Sequence, residues 1–127
     1  MHPYLVLLAI AIIIIIYMIW SDQDMLAEKY IQSLKILTRQ AARWTTASKQ
    51  DKNAMIAVLH ANYGAGYLWA LTDIATEADI LKYTDIDIRQ MRDEIITQQD
   101  NTTKNMAKLC PSYAPDSSYL TQIAGER

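Results

Sequence analysis

The chain has 127 residues and a formal net charge of −2, with 51% hydrophobic and 20% charged side chains, which leaves room for one small domain beside a membrane segment and not for two. Its single cysteine, Cys110, excludes a disulfide within the chain and any cysteine-rich zinc motif, and fits a reducing compartment. Twelve basic and fourteen acidic side chains, with no dense Lys/Arg cluster interleaved with aromatics, leave nucleic-acid binding with little support.

Tyr4 to Trp20, YLVLLAIAIIIIIYMIW, is an unbroken run of 17 uncharged and almost wholly apolar residues. At about 1.5 Å per residue it reaches about 25 Å, against a bilayer hydrocarbon core of about 30 Å. Pro3, Ser21 and the rings of Tyr4, Tyr17 and Trp20 at headgroup level make up the difference. A cleaved secretory signal needs a basic region before the apolar core and a small-residue cleavage site after it. Here no Lys or Arg precedes the run, and Ser21-Asp22-Gln23-Asp24 comes directly after it. Residues 1–21 therefore read as an uncleaved transmembrane anchor, with Tyr4, Ile12, Ile16, Tyr17 and Trp20 as its characteristic side chains and the lipid bilayer as its partner. Lys29, Lys35, Arg39 and Arg43 all lie C-terminal to the run, so the positive-inside rule predicts a single-pass protein with its N-terminus across the membrane and its body on the cytosolic side.

Residues 22–110 read as a helical domain, because glycine and proline are scarce and no stretch alternates with period two. From Asp22 to Trp44, the residues Leu26, Tyr30, Leu34, Leu37, Ala41 and Trp44 recur at spacings of three and four, one apolar stripe opposite Lys35, Arg39 and Arg43. With no Gly or Pro between Tyr4 and Trp44, this helix runs on from the membrane span as a stalk. The polar stretch Thr45 to Asn53 is the expected turn, with Asp51 or Asn53 capping the next helix.

Ala54 to Leu71, AMIAVLHANYGAGYLWAL, has only His60 and Asn62 as strongly polar side chains. Such a helix is either the central, buried helix of a bundle or a second membrane span. His60, Asn62, Gly64 and Gly66 all weaken insertion, which favours burial in a bundle. Ala57, Ala61 and Ala65, beside Gly64, form a row of small residues that lets another backbone approach closely. Helix packing is thus expected at Leu26, Leu34, Trp44, Ala57, Ala61 and Gly64.

Thr76-Glu77-Ala78-Asp79 and Thr84-Asp85-Ile86-Asp87 have the spacing of helix-start boxes. They predict a boundary near Tyr83 and a third long helix from Asp85 to about Leu109, with a stripe of Ile88, Met91, Ile95, Thr102, Met106 and Leu109. Cys110-Pro111 ends it, since the residue before proline is steered away from helical geometry. Residues 111–127 read as an extended C-terminal arm whose Tyr113, Tyr119 and Leu120 contact a partner. The fold class is therefore all-α: an N-terminal transmembrane helix, a small bundle or hairpin of long helices, and an extended arm.

Chemistry has little footing in this pattern. His60 is the only histidine in the body, and a core histidine with a hydrogen-bond partner is a simpler reading than a proton-transfer group with Asn62 and Asp73. Asp79, Asp85, Asp87, Asp93 and Glu94 lack the spacing and central glycine of an EF-hand. Gly64-Ala65-Gly66 lacks a third glycine and a preceding strand. No catalytic, cofactor-binding or metal-ligating residue is assigned, and the protein is not expected to be an enzyme.

The stretch Asp51 to Asp73, DKNAMIAVLHANYGAGYLWALTD, resembles a region of small membrane-anchored virion proteins of large icosahedral nucleocytoplasmic DNA viruses. It covers about a fifth of the chain. The resemblance implies a minor capsid protein, anchored in the inner membrane of a virion and facing the capsid, that tethers membrane to shell. Its partners would be the bilayer, other capsid or membrane proteins and copies of itself. Two alternatives remain open on the sequence. One is a membrane-active oligomer such as a holin or pore subunit, with Ala54 to Leu71 as a second span; the other is a component of a virus entry and fusion complex.

Overall fold

A computed structural model describes residues 2–113. The described residues form four α-helices, α1 (Pro3–Gln50), α2 (Ala54–Ile74), α3 (Glu77–Thr84) and α4 (Ile88–Leu109), and then one 3-10 turn at Pro111–Tyr113. Helix α1 is 48 residues long. At about 1.5 Å per residue that is a rod of about 72 Å. Pro3 stands in its first turn, where its missing N–H costs nothing, and no later proline interrupts it.

The rod has two halves. From Pro3 to Lys29 every side chain is exposed; from Tyr30 onward one face is covered. The stripe Tyr30, Leu34, Leu37 and Ala41 enters the core as its spacing predicts, with Leu34 and Ala41 wholly buried. Leu26 does not: it is 63% exposed, one turn short of the bundle. The expected packing role for Leu26 is corrected on that ground, since neither α2 nor α3 extends far enough to meet it.

The turn is also shorter than the polar run suggests. Helix α1 continues through Thr45 and Ser48, both buried, and only Asp51 to Asn53 leave helical geometry. Hydroxyls inside a helix can bond back to its own carbonyls. Thr38 does so to the Leu34 carbonyl and Ser48 to the Thr45 carbonyl, each at 2.7 Å. This lets a run that looks like a loop form the last turns of a helix. Asn53 then caps α2, its Oδ1 accepting from the Met55 and Ile56 amides at 3.0 and 3.2 Å.

Helix α2 folds back antiparallel on α1, with Trp44 meeting His60 and Tyr63 near the turn and Gly64 meeting Ala41 and Thr45 further along. Its buried face is Ala57, Ala61, Gly64, Ala65, Leu68 and Leu71. Helix α2 is central in that it contacts both α1 and α4, but the expectation that it is buried all round is corrected by this arrangement. The covered half faces α1 and α4, while Met55, Leu59, Tyr63 and Trp69 face outward. With only three long helices, a bundle covers one side of each.

Thr76 caps α3 by accepting from the Asp79 amide at 3.1 Å, as its box predicts. The second box behaves differently. Thr84 ends α3, Asp85 adopts a left-handed conformation at φ 58°, and Asp87 caps α4 through the Arg89 amide at 2.9 Å. The last long helix therefore begins at Ile88, three residues later than expected. Ile88, Ile95 and Thr102 of its stripe are buried and Met91 and Met106 are half-buried, but Leu109 is exposed. The helix stops at Leu109 with Cys110 as its C-cap, as Pro111 requires.

Pro111–Tyr113, the first residues of the expected arm, form a 3-10 turn. Tyr119 and Leu120, two of the expected partner contacts, lie outside the described residues, and only the backbone of Tyr113 is described.

Candidate functional site: an anchor joined without a hinge to a bundle

Residues 3–20 supply the largest exposed apolar surface among the described residues. Ile12 and Ile16 are each about half exposed, and Tyr4, Tyr17 and Trp20 more so. Among the described residues, α1 is the one helix long and apolar enough to cross a membrane, and the apolar window in it is 0% buried. Tyr4 stacks on His2 at 5.1 Å between ring centroids, which places aromatic and polar surface together at one end of the run. Tyr17 and Trp20 mark the other, in the arrangement that interfacial headgroups favour.

Between Trp20 and Tyr30 the helix carries nothing on any side. Ser21 to Lys29 is a bare stalk of nine residues, about 13 Å, with Asp22, Asp24 and Glu28 ahead of Lys29. Because the helix is continuous, the direction of the apolar segment sets the direction of the bundle. The far end, at Gln50, stands about 45 Å beyond Trp20 by the same rise per residue.

The near end of the packed region is held by α3. The Tyr30 hydroxyl faces the Asp79 carboxylate at 3.4 Å, and its ring meets Tyr83 edge-on at 6.4 Å. Loss of hydration, then the neighbouring Asp79 charge, holds the Tyr30 phenol above its ordinary pKa. Glu77 joins α3 to α4 through Arg89 at 3.0 Å and Arg92 at 3.5 Å, and raises the pKa of the Arg89 guanidinium. These are exposed pairs and orient more than they stabilise.

At the far end Trp44, Asp51, His60 and Tyr63 gather at the turn. His60 Nδ1 lies 2.7 Å from Asp51 Oδ2, with the Trp44 ring 5.0 Å from the imidazole and 5.3 Å from Tyr63. Trp44, expected on the packing stripe, thus closes the hairpin from its end. The three groups considered for proton transfer do not converge. His60 is paired with Asp51, Asn62 accepts from Gln99 Nε2 at 2.9 Å, and exposed Asp73 lies more than three turns along α2. Nor do the acidic residues of α3 and α4 gather: Asp87 is a cap, Glu94 reaches Lys49 at 3.7 Å, and among the described residues no group of three His, Cys, Asp or Glu is placed to hold a metal ion.

The row of small residues on α2 lies directly against α1. A Cβ on Gly64 would lie 3.1 Å from the Thr45 nitrogen and 3.2 Å from the Ala41 carbonyl oxygen, and would collide with Thr45 Oγ1. That hydroxyl is buried without a hydrogen-bond partner. A buried hydroxyl left unpaired costs about 1–3 kcal/mol. Thr45→Val, which keeps the shape and removes the oxygen, is therefore expected to raise the thermal midpoint of the bundle.

Beside this contact an open groove of about 490 Å³ runs between α1 and the start of α4, lined by Thr38, Ala42 and Lys49 on one side and Ile86, Met91 and Glu94 on the other. The sequence does not reveal it, because its two walls come from segments about forty residues apart that only the fold brings together. Compared with protein-family models, curated proteins and solved structures, the chain matches none.

Proposed function

We propose that this protein is a membrane tether: a rigid spacer that holds a small helical bundle at a fixed height and orientation above a bilayer. The observation that carries this reading is the single helix α1, which serves as apolar anchor, bare stalk and first helix of the bundle without a break. A flexible linker would let the body wander; a continuous helix does not. The charge asymmetry around the anchor supports a body on the cytosolic side. The setting we favour is a virion with an internal membrane, the bundle reaching toward the capsid as a minor capsid component. Support for that setting is the resemblance of Asp51 to Asp73.

A stalk variant tests the reading. Ala27→Pro places proline where no tertiary contact exists, breaking the rod at a local cost of about 3 kcal/mol without touching the core. A fluorophore on Lys52→Cys in a Cys110→Ser background, with an acceptor dye in the bilayer, is expected to report one long distance in the parent. The proline variant should give a shorter and broader distribution. A broad distribution in the parent would count against a spacer.

A further inference from the structure

We propose that the outer face of α2 is a self-association surface through which copies anchored in the same bilayer pair side by side. The proposal rests on the reading of α1 as a membrane anchor. Its starting point is a stripe of six residues, Met55, Leu59, Asn62, Gly66, Trp69 and Asp73, spaced alternately by four and three. All six are exposed on the side of α2 away from its buried face, with Asn62 at the edge of the stripe, where its Oδ1 accepts from Gln99 of α4. A four-three alternation keeps one line of side chains facing a lengthwise neighbour, which is how helices pair along their axes. No Asp, Glu, Lys or Arg occurs from Ala54 to Thr72, so the face carries no fixed charge over most of its length.

Its extent is unusual for a surface meant to meet water. Met55, Leu59 and Trp69 with flanking Ile56, Tyr63 and Ile74 are each about half exposed. At about 200 Å² for a large side chain, they present about 600 Å² of mostly apolar surface, at the upper limit for the patch of a typical monomer and near the 800 Å² per partner of a standard interface. Gly66 sits within it with nothing within 4 Å of where a Cβ would be. Gly64 is explained by contact with α1, whereas Gly66 has no partner among the described residues of its own chain. An open glycine on an apolar helix face permits close approach of a second helix.

The anchor selects the occupant. Copies inserted in one bilayer share a direction and a height, and the continuity of α1 passes both on to α2. A two-fold axis along the membrane normal then brings Leu59 opposite Leu59 and Gly66 opposite Gly66, a self-complementary contact. Confinement to the membrane raises the effective concentration and offsets the modest area. Asp73 of each copy comes to the membrane-proximal end of the seam, where the two carboxylates repel and salt screens them. Pairing should therefore strengthen as ionic strength rises.

The test uses the full chain in phosphatidylcholine vesicles, carrying Cys110→Ser and a single new cysteine. Leu59→Cys is expected to form a covalent dimer under mild oxidation, while Gln90→Cys, exposed on α4, stays monomeric. Adding Gly66→Glu should reduce the Leu59→Cys dimer at least tenfold with the far-UV circular dichroism unchanged, since a side chain at that position meets nothing in its own chain. Flotation of the vesicles separates the failures. A chain that floats but does not cross-link at Leu59→Cys, or cross-links equally at Gln90→Cys, overturns the pairing and leaves the anchor standing. A chain that does not float overturns both.

Discussion

Two arginines at the middle of the anchor, Ile12→Arg with Ile16→Arg, are expected to release the protein from membranes while leaving its bundle folded. The sites lie one helical turn apart, near the centre of the apolar run. An arginine at the centre of a spanning helix costs about 2.5–3.5 kcal/mol, and each lost isoleucine removes about 0.3–0.6 kcal/mol of favourable insertion, so the pair shifts partitioning by roughly 10⁴- to 10⁶-fold. None of this reaches the bundle, because no residue before Tyr30 is covered by another helix. Co-translational insertion into microsomes and then flotation checks the result: the parent rises with the membrane and the variant stays at the bottom, with equal protease resistance of the helical core. The same preparation tests orientation. In the parent the bundle should be digested from the cytosolic side, and Asn101, which is exposed on α4 within the acceptor sequence Asn101-Thr102-Thr103, should carry no glycan. A protected and glycosylated body would reverse the topology and favour an entry or surface role.

A helix long and apolar enough to cross a membrane was legible in the sequence because that capacity depends on composition and length, both of which are local properties. Helix starts at Asn53 and Thr76 and the stop at Cys110-Pro111 were legible for a similar reason, since caps involve residues within one turn. What sequence could not show is how far a neighbour reaches. Periodicity places Leu26 on the same face as Leu34, but only the lengths of α2 and α3 decide that one is bare and the other buried. The polar run Thr45 to Gln50 misleads because its threonine and serine contribute small buried volume at a close crossing, a role indistinguishable from loop composition until Gly64 is seen opposite. Helix α2 is the converse case. Its apolar residues surround the helix, and the number of helices available to cover them is a property of the whole fold. The outer stripe therefore becomes visible only when the inner one is assigned.

The two glycines of α2 offer the sharpest test of that division, since the same substitution is expected to act in opposite directions two residues apart. In a helix interior alanine is favoured over glycine by about 1 kcal/mol. At Gly66 nothing stands within 4 Å of the new methyl group, so Gly66→Ala should gain that amount, raising the thermal midpoint of a bundle this size by about 4–8 °C. At Gly64 the new Cβ meets backbone atoms of α1 at 3.1 and 3.2 Å as well as the Thr45 hydroxyl. Backbone cannot swing aside as a side-chain tip can, so the helices must separate, and overpacking of this kind costs about 1–3 kcal/mol. Gly64→Ala should therefore lose stability despite its better helix propensity, and Gly64→Leu should lose considerably more. Combining Gly64→Ala with Thr45→Ala removes the colliding hydroxyl but leaves the backbone contacts, so it should recover part of the loss and not all of it. Thermal melts by far-UV circular dichroism, on dilute protein in detergent micelles so that association does not enter, read all four variants. Equal effects at Gly64 and Gly66 would mean that α1 and α2 do not cross where this structure places them.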